Sequence, residues 1–161
     1  MKTYEAPWSK SLVVISTLAT LLCCGVAVSV IWSTGGMLQW TALAPIAING
    51  IAALFIIRRY SLTADAILVH RPFWKTRVPL AGLQSARSEP DAMRRSLRTF
   101  GKGGLFSCTG FFRNKALGAY RAFVTDPHRT MVLKFPGRTV VLSPSVPEAF
   151  VEDVDAARRV V

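Results

Sequence analysis

The sequence has few acidic residues and few of the side chains that build catalytic or metal sites. It contains 9 Asp and Glu against 20 Lys and Arg, a formal net charge of +11, and only 2 His and 3 Cys. His70 and His128 lack the His/Glu or Cys-x-x-Cys spacing of a zinc site, and no Gly-x-Ser-x-Gly nucleophile turn is present. We therefore expect no enzyme, no catalytic residues, no metal and no cofactor.

The cysteines do not form a disulfide framework. Cys23 and Cys24 are adjacent in an apolar stretch, where thiols pack as small hydrophobic groups, and Cys108 stands alone. This usage suits a reducing compartment.

Charged side chains are also absent from two long apolar stretches, residues 11–32 and 37–57. A helix that crosses bilayer hydrocarbon needs about 20 such residues at about 1.5 Å rise each. Each stretch therefore predicts one membrane span, and the short uncharged link between them predicts a helical hairpin. The expected division is an N-terminal tail (1–10), a transmembrane hairpin (11–57) and a domain (58–161).

The basic residues around the hairpin predict its orientation. Lys10 precedes the first span, and Arg58 and Arg59 follow the second. Because Lys and Arg in short flanks favour the cytoplasmic side, both termini are expected on the cytoplasmic side of the membrane. Tyr60 is expected at the headgroup interface. The alternative, a signal peptide cleaved near residue 27, would still leave the domain cytoplasmic.

After Arg59 the pattern changes to short β-prone runs separated by Gly and Pro. Pro136 and Gly137 between two such runs predict a hairpin. The runs are residues 67–69, 73–78, 119–124, 131–135 and 138–142. Several short strands with regular turn signals predict a small antiparallel sandwich or barrel.

The last segment predicts an amphipathic helix. Ser145 is a candidate N-cap, Glu148 would complete a capping box, and Pro147 falls in the first turn, where its missing N–H is harmless. Its apolar face comprises Phe150, Val151, Val154 and Ala157 at helical spacing.

Glycines 101, 103 and 104 invite comparison with phosphate-binding loops. A dinucleotide fingerprint needs Gly where Phe106 stands, and the Gly-Lys-Ser/Thr ending of a P-loop is absent. The glycines instead predict positive φ angles and a bulged turn.

These parts together resemble the bacterial membrane proteins that carry a pleckstrin-homology-like (PH-like) domain behind a short transmembrane anchor. The resemblance lies in residues 100–106 (Phe-Gly-Lys-Gly-Gly-Leu-Phe), 110–118 (Gly-Phe-Phe-Arg-Asn-Lys-Ala-Leu-Gly), 120–125, 140–144 and 147–150. It implies an all-β barrel or sandwich of about seven short strands in two orthogonal antiparallel sheets, closed by the C-terminal α-helix. It implies no catalytic residues.

A basic stretch is the candidate surface for lipid or partner binding. Its residues are Arg94, Arg95, Arg98, Lys102, Arg113 and Lys115. Each could contribute about 1 kcal/mol near an anionic leaflet, but only if they share one face. The alternative is a solvated loop with scattered charges. Phe106, Phe111 and Phe112 would enter lipid, contact a partner or belong to the core.

The sequence thus predicts a non-enzymatic, membrane-anchored binding or scaffold module, whose ligand is a protein partner with help from anionic lipid headgroups. The alternatives are a direct anionic-lipid sensor and a structural subunit of a larger membrane assembly, and a homo-oligomer stays open. Nucleic acid is not an expected partner, because no helix carries the basic cluster.

Overall fold

The chain folds into two N-terminal helices, a β region and a C-terminal helix. The computed structural model describes residues 2–33 and 40–158. The helices are α1 (Lys10–Ser33), α2 (Leu43–Ala53) and α3 (Pro147–Arg158). The strands are β1 (Lys2–Glu5), β2 (Arg59–Leu62), β3 (Ala66–His70), β4 (Lys75–Pro79), β5 (Ser85–Ser88), β6 (Leu97–Leu105), β7 (Ser107–Asn114), β8 (Gly118–Val124), β9 (Met131–Phe135) and β10 (Arg138–Leu142).

The strands form two sheets. Sheet 1 has the order β1-β2-β3-β4, and sheet 2 has the order β5-β9-β10-β8-β7-β6. Ten strands lie in the described residues, more than the seven expected, and β8 pairs with β10 in parallel rather than antiparallel orientation. The sequence did not predict β6, because its three glycines indicate a turn rather than a strand interior.

Sheet 2 is buried on both faces at its centre. One face shares the main core with sheet 1 and α3, through residues such as Tyr60, Phe123 and Phe150. The opposite face carries a second cluster that includes Phe112 and Tyr120. This explains why β8, β9 and β10 contain unbroken apolar runs instead of the alternation typical of a sheet with one wet face.

Tyr60 lies in the main core and not at the headgroup interface, so that prediction is wrong. The side chain is fully buried, and its hydroxyl donates to the carbonyl oxygen of Phe123 at 2.7 Å. Burial raises the pKa of Tyr60 to about 12. A buried tyrosine needs such a partner, and the sequence cannot show that β8 supplies one.

Helix α3 packs against the main core as predicted. Phe150 and Val154 are fully buried, and Val151 and Ala157 contact the same cluster. The capping box is not formed in the expected way: the Ser145 N–H donates to the Glu5 carbonyl at 2.9 Å, and the Ser88 hydroxyl donates to Glu148 at 3.0 Å. Contacts from β1 and β5 therefore replace the reciprocal local bond.

The predicted hairpin at Pro136 and Gly137 is confirmed. Arg138 of β10 lies opposite Phe135 of β9, so the loop has two residues. Gly137 has φ 73°, which suits the third position of a type II turn after proline.

The N-terminal segment belongs to the β region, whereas the sequence analysis separated residues 1–10 as a tail. Strand β1 pairs antiparallel with β2, with Tyr4 opposite Tyr60. Lys2 and Tyr4 also contact the Asp153 carboxylate on α3, at 2.6 and 2.5 Å. The two helices are thus an insertion between the first two strands of sheet 1.

Helix α1 is the one helix in the described residues that is long and apolar enough to cross a membrane. Together with the 3₁₀ turn that precedes it, α2 covers only Trp40–Ala53, about 21 Å at about 1.5 Å per residue. The predicted second span, residues 37–57, therefore extends past the end of α2 at Ala53. Ile57 is fully buried in the main core, and apolar composition alone does not distinguish such a residue from one in lipid. Residues 34–39, which include the predicted link, lie outside the described residues.

The two helices contact each other and the β region. The Asn49 side chain on α2 donates to the Thr20 hydroxyl on α1 at 3.3 Å. About one turn closer to the β region, the Phe106 N–H donates to the Ser16 hydroxyl at 3.0 Å, and the Ser107 hydroxyl donates to the Phe55 carbonyl at 3.0 Å. The β6–β7 turn therefore lies between the bases of α1 and α2.

Candidate binding surfaces

A loop of residues 89–96 covers the second core cluster and is held in place by hydrogen bonds. The Asn114 side chain donates to the Ala92 carbonyl at 2.9 Å and to the Ser96 hydroxyl at 3.1 Å. The Tyr120 hydroxyl also donates to Ser96, at 2.6 Å, and the Ala92 N–H donates to the Thr130 hydroxyl at 3.1 Å. The loop is therefore a preformed surface.

A groove of about 440 Å³ lies beside this loop, and we call it the distal groove. Arg94, Arg95 and Lys115 line it together with two acids, Glu89 and Asp91. All three cations are exposed, and none has a carboxylate within ion-pair distance among the described residues.

One of the two acids is already engaged. The Asp91 carboxylate lies 2.7 Å from Nδ1 of His128, which belongs to the neighbouring loop. The lining thus retains more free positive than negative groups, and the distal groove suits an anionic ligand.

The structure divides the other predicted basic residues between surfaces. Arg98 lies opposite Phe112 and Arg113 lies opposite Leu97 across the β6–β7 pair. Since side chains alternate along a strand, Arg98 and Arg113 point to opposite faces of sheet 2. The side chain of Lys102 lies outside the described part of the structure. Three of the six candidates therefore gather in one groove.

The distal groove is far from the helices. Strand β7 begins at Ser107, which contacts Phe55 directly after α2, and ends at Asn114 in the groove. At about 3.4 Å per residue, the two ends of β7 are about 24 Å apart. This is about three Debye lengths at physiological ionic strength.

A second basic feature lies at the helix end of the domain, in the loop between β3 and β4. The Arg71 guanidinium is 5.4 Å from the ring centre of Phe55 and 5.6 Å from those of Trp74 and Phe123. The Phe55 and Trp74 rings meet edge to face at 5.3 Å. We call Arg71 and these three rings the Arg71 cage.

The Arg71 cage is electropositive. Arg121 lies over the same Phe123 ring at 4.8 Å, and burial and then the Arg121 charge lower the pKa of Arg71. The pKa of neighbouring His70 is also lowered, by burial and then by Lys75 and Arg59. Among the described residues no carboxylate pairs with Arg71, and its buried Nε has no hydrogen-bond partner.

The family model for the bacterial PH domain matches residues 58–157. The chain belongs to the bacterial PH domain family. The match begins at Arg58, so β1 and both N-terminal helices lie outside the matched residues. No curated protein and no solved structure matches the chain. A PH domain indicates a binding or scaffold module in general, and the resemblance to the PH-like family is confirmed over residues 58–157.

The distinctive glycines of this bacterial PH domain have a structural role. Gly101 and Gly110 face each other across β6 and β7, with φ angles of 113° and 148°. A Cβ on Gly110 would lie 2.2 Å from the Phe100 carbonyl oxygen. The strand register shifts on both sides of Gly101, so a positive φ and a bulge are confirmed at Gly101, although in a strand rather than a turn.

The three candidate phenylalanines of the PH domain have different environments. Phe112 is buried and stacks with Tyr120 at 6.0 Å, as a core residue does. Phe111 is half exposed and Phe106 contacts Trp8 at 6.3 Å. The sequence indicated only a β-prone run at residues 73–78 and did not predict the Arg71 cage, because Phe55 and Phe123 come from distant segments.

Proposed function

We propose that this protein is a membrane-attached bacterial PH domain that binds an acidic segment of a partner protein in the distal groove, on the cytoplasmic side. The observation that carries the proposal is the distal groove itself. It gathers cations without carboxylate partners at the end of the domain that is farthest from the apolar helices.

The surface of the helix pair supports membrane attachment. Large apolar side chains on α1 and α2 are uncovered, with Leu18, Leu22 and Ile48 exposed by 61%, 70% and 64%. An apolar surface of this kind is costly in water. Lipid would cover it.

The pairing of β1 with β2 supports a hairpin topology. These strands flank the helices in the chain and are hydrogen-bonded neighbours in one sheet, so the chain must leave and re-enter the same side of the membrane. Beyond Ser16, where α1 leaves the β region, its remaining residues span about 25 Å, close to the length of the second helix. Lys10, Arg58 and Arg59 at this end favour the cytoplasmic side.

The position of the distal groove favours a protein over a lipid ligand. Headgroups around the helices lie about 24 Å away along β7, where their field on Arg94 and Arg95 is largely screened. An acidic segment of a cytoplasmic protein has no such restriction. The direct lipid sensor based on the basic stretch is therefore the less favoured proposal. The other alternative, a structural subunit of a larger membrane assembly, is supported by the uncovered helix faces and by no other observation on the described residues.

Site-specific photo-crosslinking in intact membranes tests the proposal. The full-length chain would carry a photoreactive residue at Ala116, an exposed position in the groove. We expect a discrete protein adduct that Arg94→Glu or Arg95→Glu removes. The matched control Lys134→Glu reverses an exposed charge outside the groove and should keep the adduct. Adducts to lipid alone, or equal loss with Lys134→Glu, would refute the proposal.

A further inference from the structure

Arg71 is a partly buried cation whose counter-charge is missing from the described residues. Taking a guanidinium out of water is costly unless an anion or hydrogen-bond acceptors compensate. Here the Nε is buried without a partner, and Arg121, which lies over the same Phe123 ring, carries charge of the same sign. The site therefore retains positive charge that an external anion would neutralise.

The aromatic rings of the cage do not replace that anion. A cation over a ring is stabilised by about 0.5–2 kcal/mol, but its charge remains, and the buried Nε of Arg71 stays without a hydrogen-bond partner. The flat faces of Phe55, Trp74 and Phe123 instead hold the guanidinium in one orientation. The cage thus preorganises Arg71, which lowers the entropic cost of binding a ligand.

The cage lies where the chain leaves the apolar helices. Phe55 follows the C-cap residue of α2, Leu54. In the Arg71 loop, the side chain of Phe73 is 77% exposed although it is entirely apolar. Arg58, Arg59 and Lys75 are exposed at the same end of sheet 1. An exposed aromatic among cations at the end of an apolar helix is typical of the headgroup layer of a bilayer.

We propose that the Arg71 cage binds the phosphate group of an anionic phospholipid, with Arg71 and Arg121 supplying the charge and Phe73 entering the acyl boundary. The ligand chemistry is a phosphodiester with acyl chains and a net negative charge, without a cationic group in the headgroup. The inference rests on the membrane attachment in the proposed function but not on the acidic partner. It places lipid binding at the end of the domain opposite the distal groove.

The test uses the full-length protein in nanodiscs of phosphatidylcholine with or without phosphatidylglycerol. Native mass spectrometry would measure the phosphatidylglycerol retained by the released protein. We expect Arg71→Gln to lower retention about fivefold, since one arginine near the leaflet contributes about 1 kcal/mol. Arg71→Lys should lower retention less than Arg71→Gln, because lysine keeps the positive charge. It should still lower retention somewhat, because lysine lacks the planar guanidinium fork. Arg95→Gln, in the distal groove, should have no effect.

Separate arms distinguish the possible outcomes. Equal loss in Arg71→Gln and Arg95→Gln, or no preference for phosphatidylglycerol in the unchanged protein, would overturn the inference. If inorganic phosphate stabilises the protein in neutral nanodiscs as much as phosphatidylglycerol does, the ligand is a free anion and the lipid assignment is wrong. If Arg71→Gln fails to fold, the phosphatidylglycerol retention measured for Arg71→Lys decides whether the inference holds. A chain that does not enter nanodiscs refutes membrane attachment itself, and this inference with it.

Discussion

Truncation of Ile57 tests where the apolar helices end and the PH domain begins. The side chain is fully buried and belongs to the main core. Ile57→Ala removes three carbon atoms, which costs about 2.4 kcal/mol at about 0.8 kcal/mol each. The cavity left behind raises the expected loss to about 3–4 kcal/mol. For a domain of about 100 residues this corresponds to a fall in melting temperature of about 15 °C.

The matched control is Ile48→Ala on α2, which removes the same atoms from a side chain that is 64% exposed. We expect a loss below about 1 kcal/mol there, because lipid or detergent tails fill the space. Hydrogen exchange of the β8 and β10 amides in detergent gives the free energy of opening of the domain directly. Equal effects of the two substitutions would show that Ile57 lies in lipid and that the domain begins after it.

Substitutions at three further contacts test the rest of the structure. Gly110→Ala should destabilise the β6–β7 pair by several kcal/mol, because its Cβ would lie 2.2 Å from a backbone oxygen. A melting temperature within about 2 °C of that of the unchanged protein, which corresponds to about 0.5 kcal/mol, would contradict this prediction. Asn49→Ala should lower the free energy of unfolding by about 1 kcal/mol. In a double-mutant cycle in detergent, adding Thr20→Val to Asn49→Ala should cause no further loss of stability. The pKa of Asp153 lies below its ordinary value because a lysine and a tyrosine of β1 donate to it. Its contribution to stability is therefore present above about pH 4 and lost as the pH falls through the lowered pKa. Asp153→Asn should weaken the melting temperature's dependence on acid, and an unchanged dependence would show that the contact is not formed in solution.

Local patterns in the sequence predicted the elements whose signals are contained in a few neighbouring residues. The C-terminal helix has its apolar face at helical spacing, and the Pro136-Gly137 hairpin has its own turn residues. Both are confirmed. Strand β1 has no comparable signal, because four residues next to the N-terminus become a strand only through pairing with β2.

The candidate site was predictable only in part. The sequence showed which residues are basic, and Arg94, Arg95 and Lys115 do gather in one groove. It could not show that Arg98 and Arg113 point apart, since this depends on how the bulged β6 pairs with β7. The Arg71 cage was beyond the sequence altogether, because its walls come from three segments separated by many residues.

The amino-acid sequence by itself determined the apolar helices, the excess of positive charge and the membership of the bacterial PH domain family. The helices and the charge follow from composition and short-range periodicity, and the family membership follows from the residues matched over 58–157. Only the tertiary structure decided that β1 and Ile57 belong to the domain, and that the basic groove and the Arg71 cage lie at opposite ends of it. The physical reason is that strand pairing and core packing join distant segments through contacts that no local pattern records.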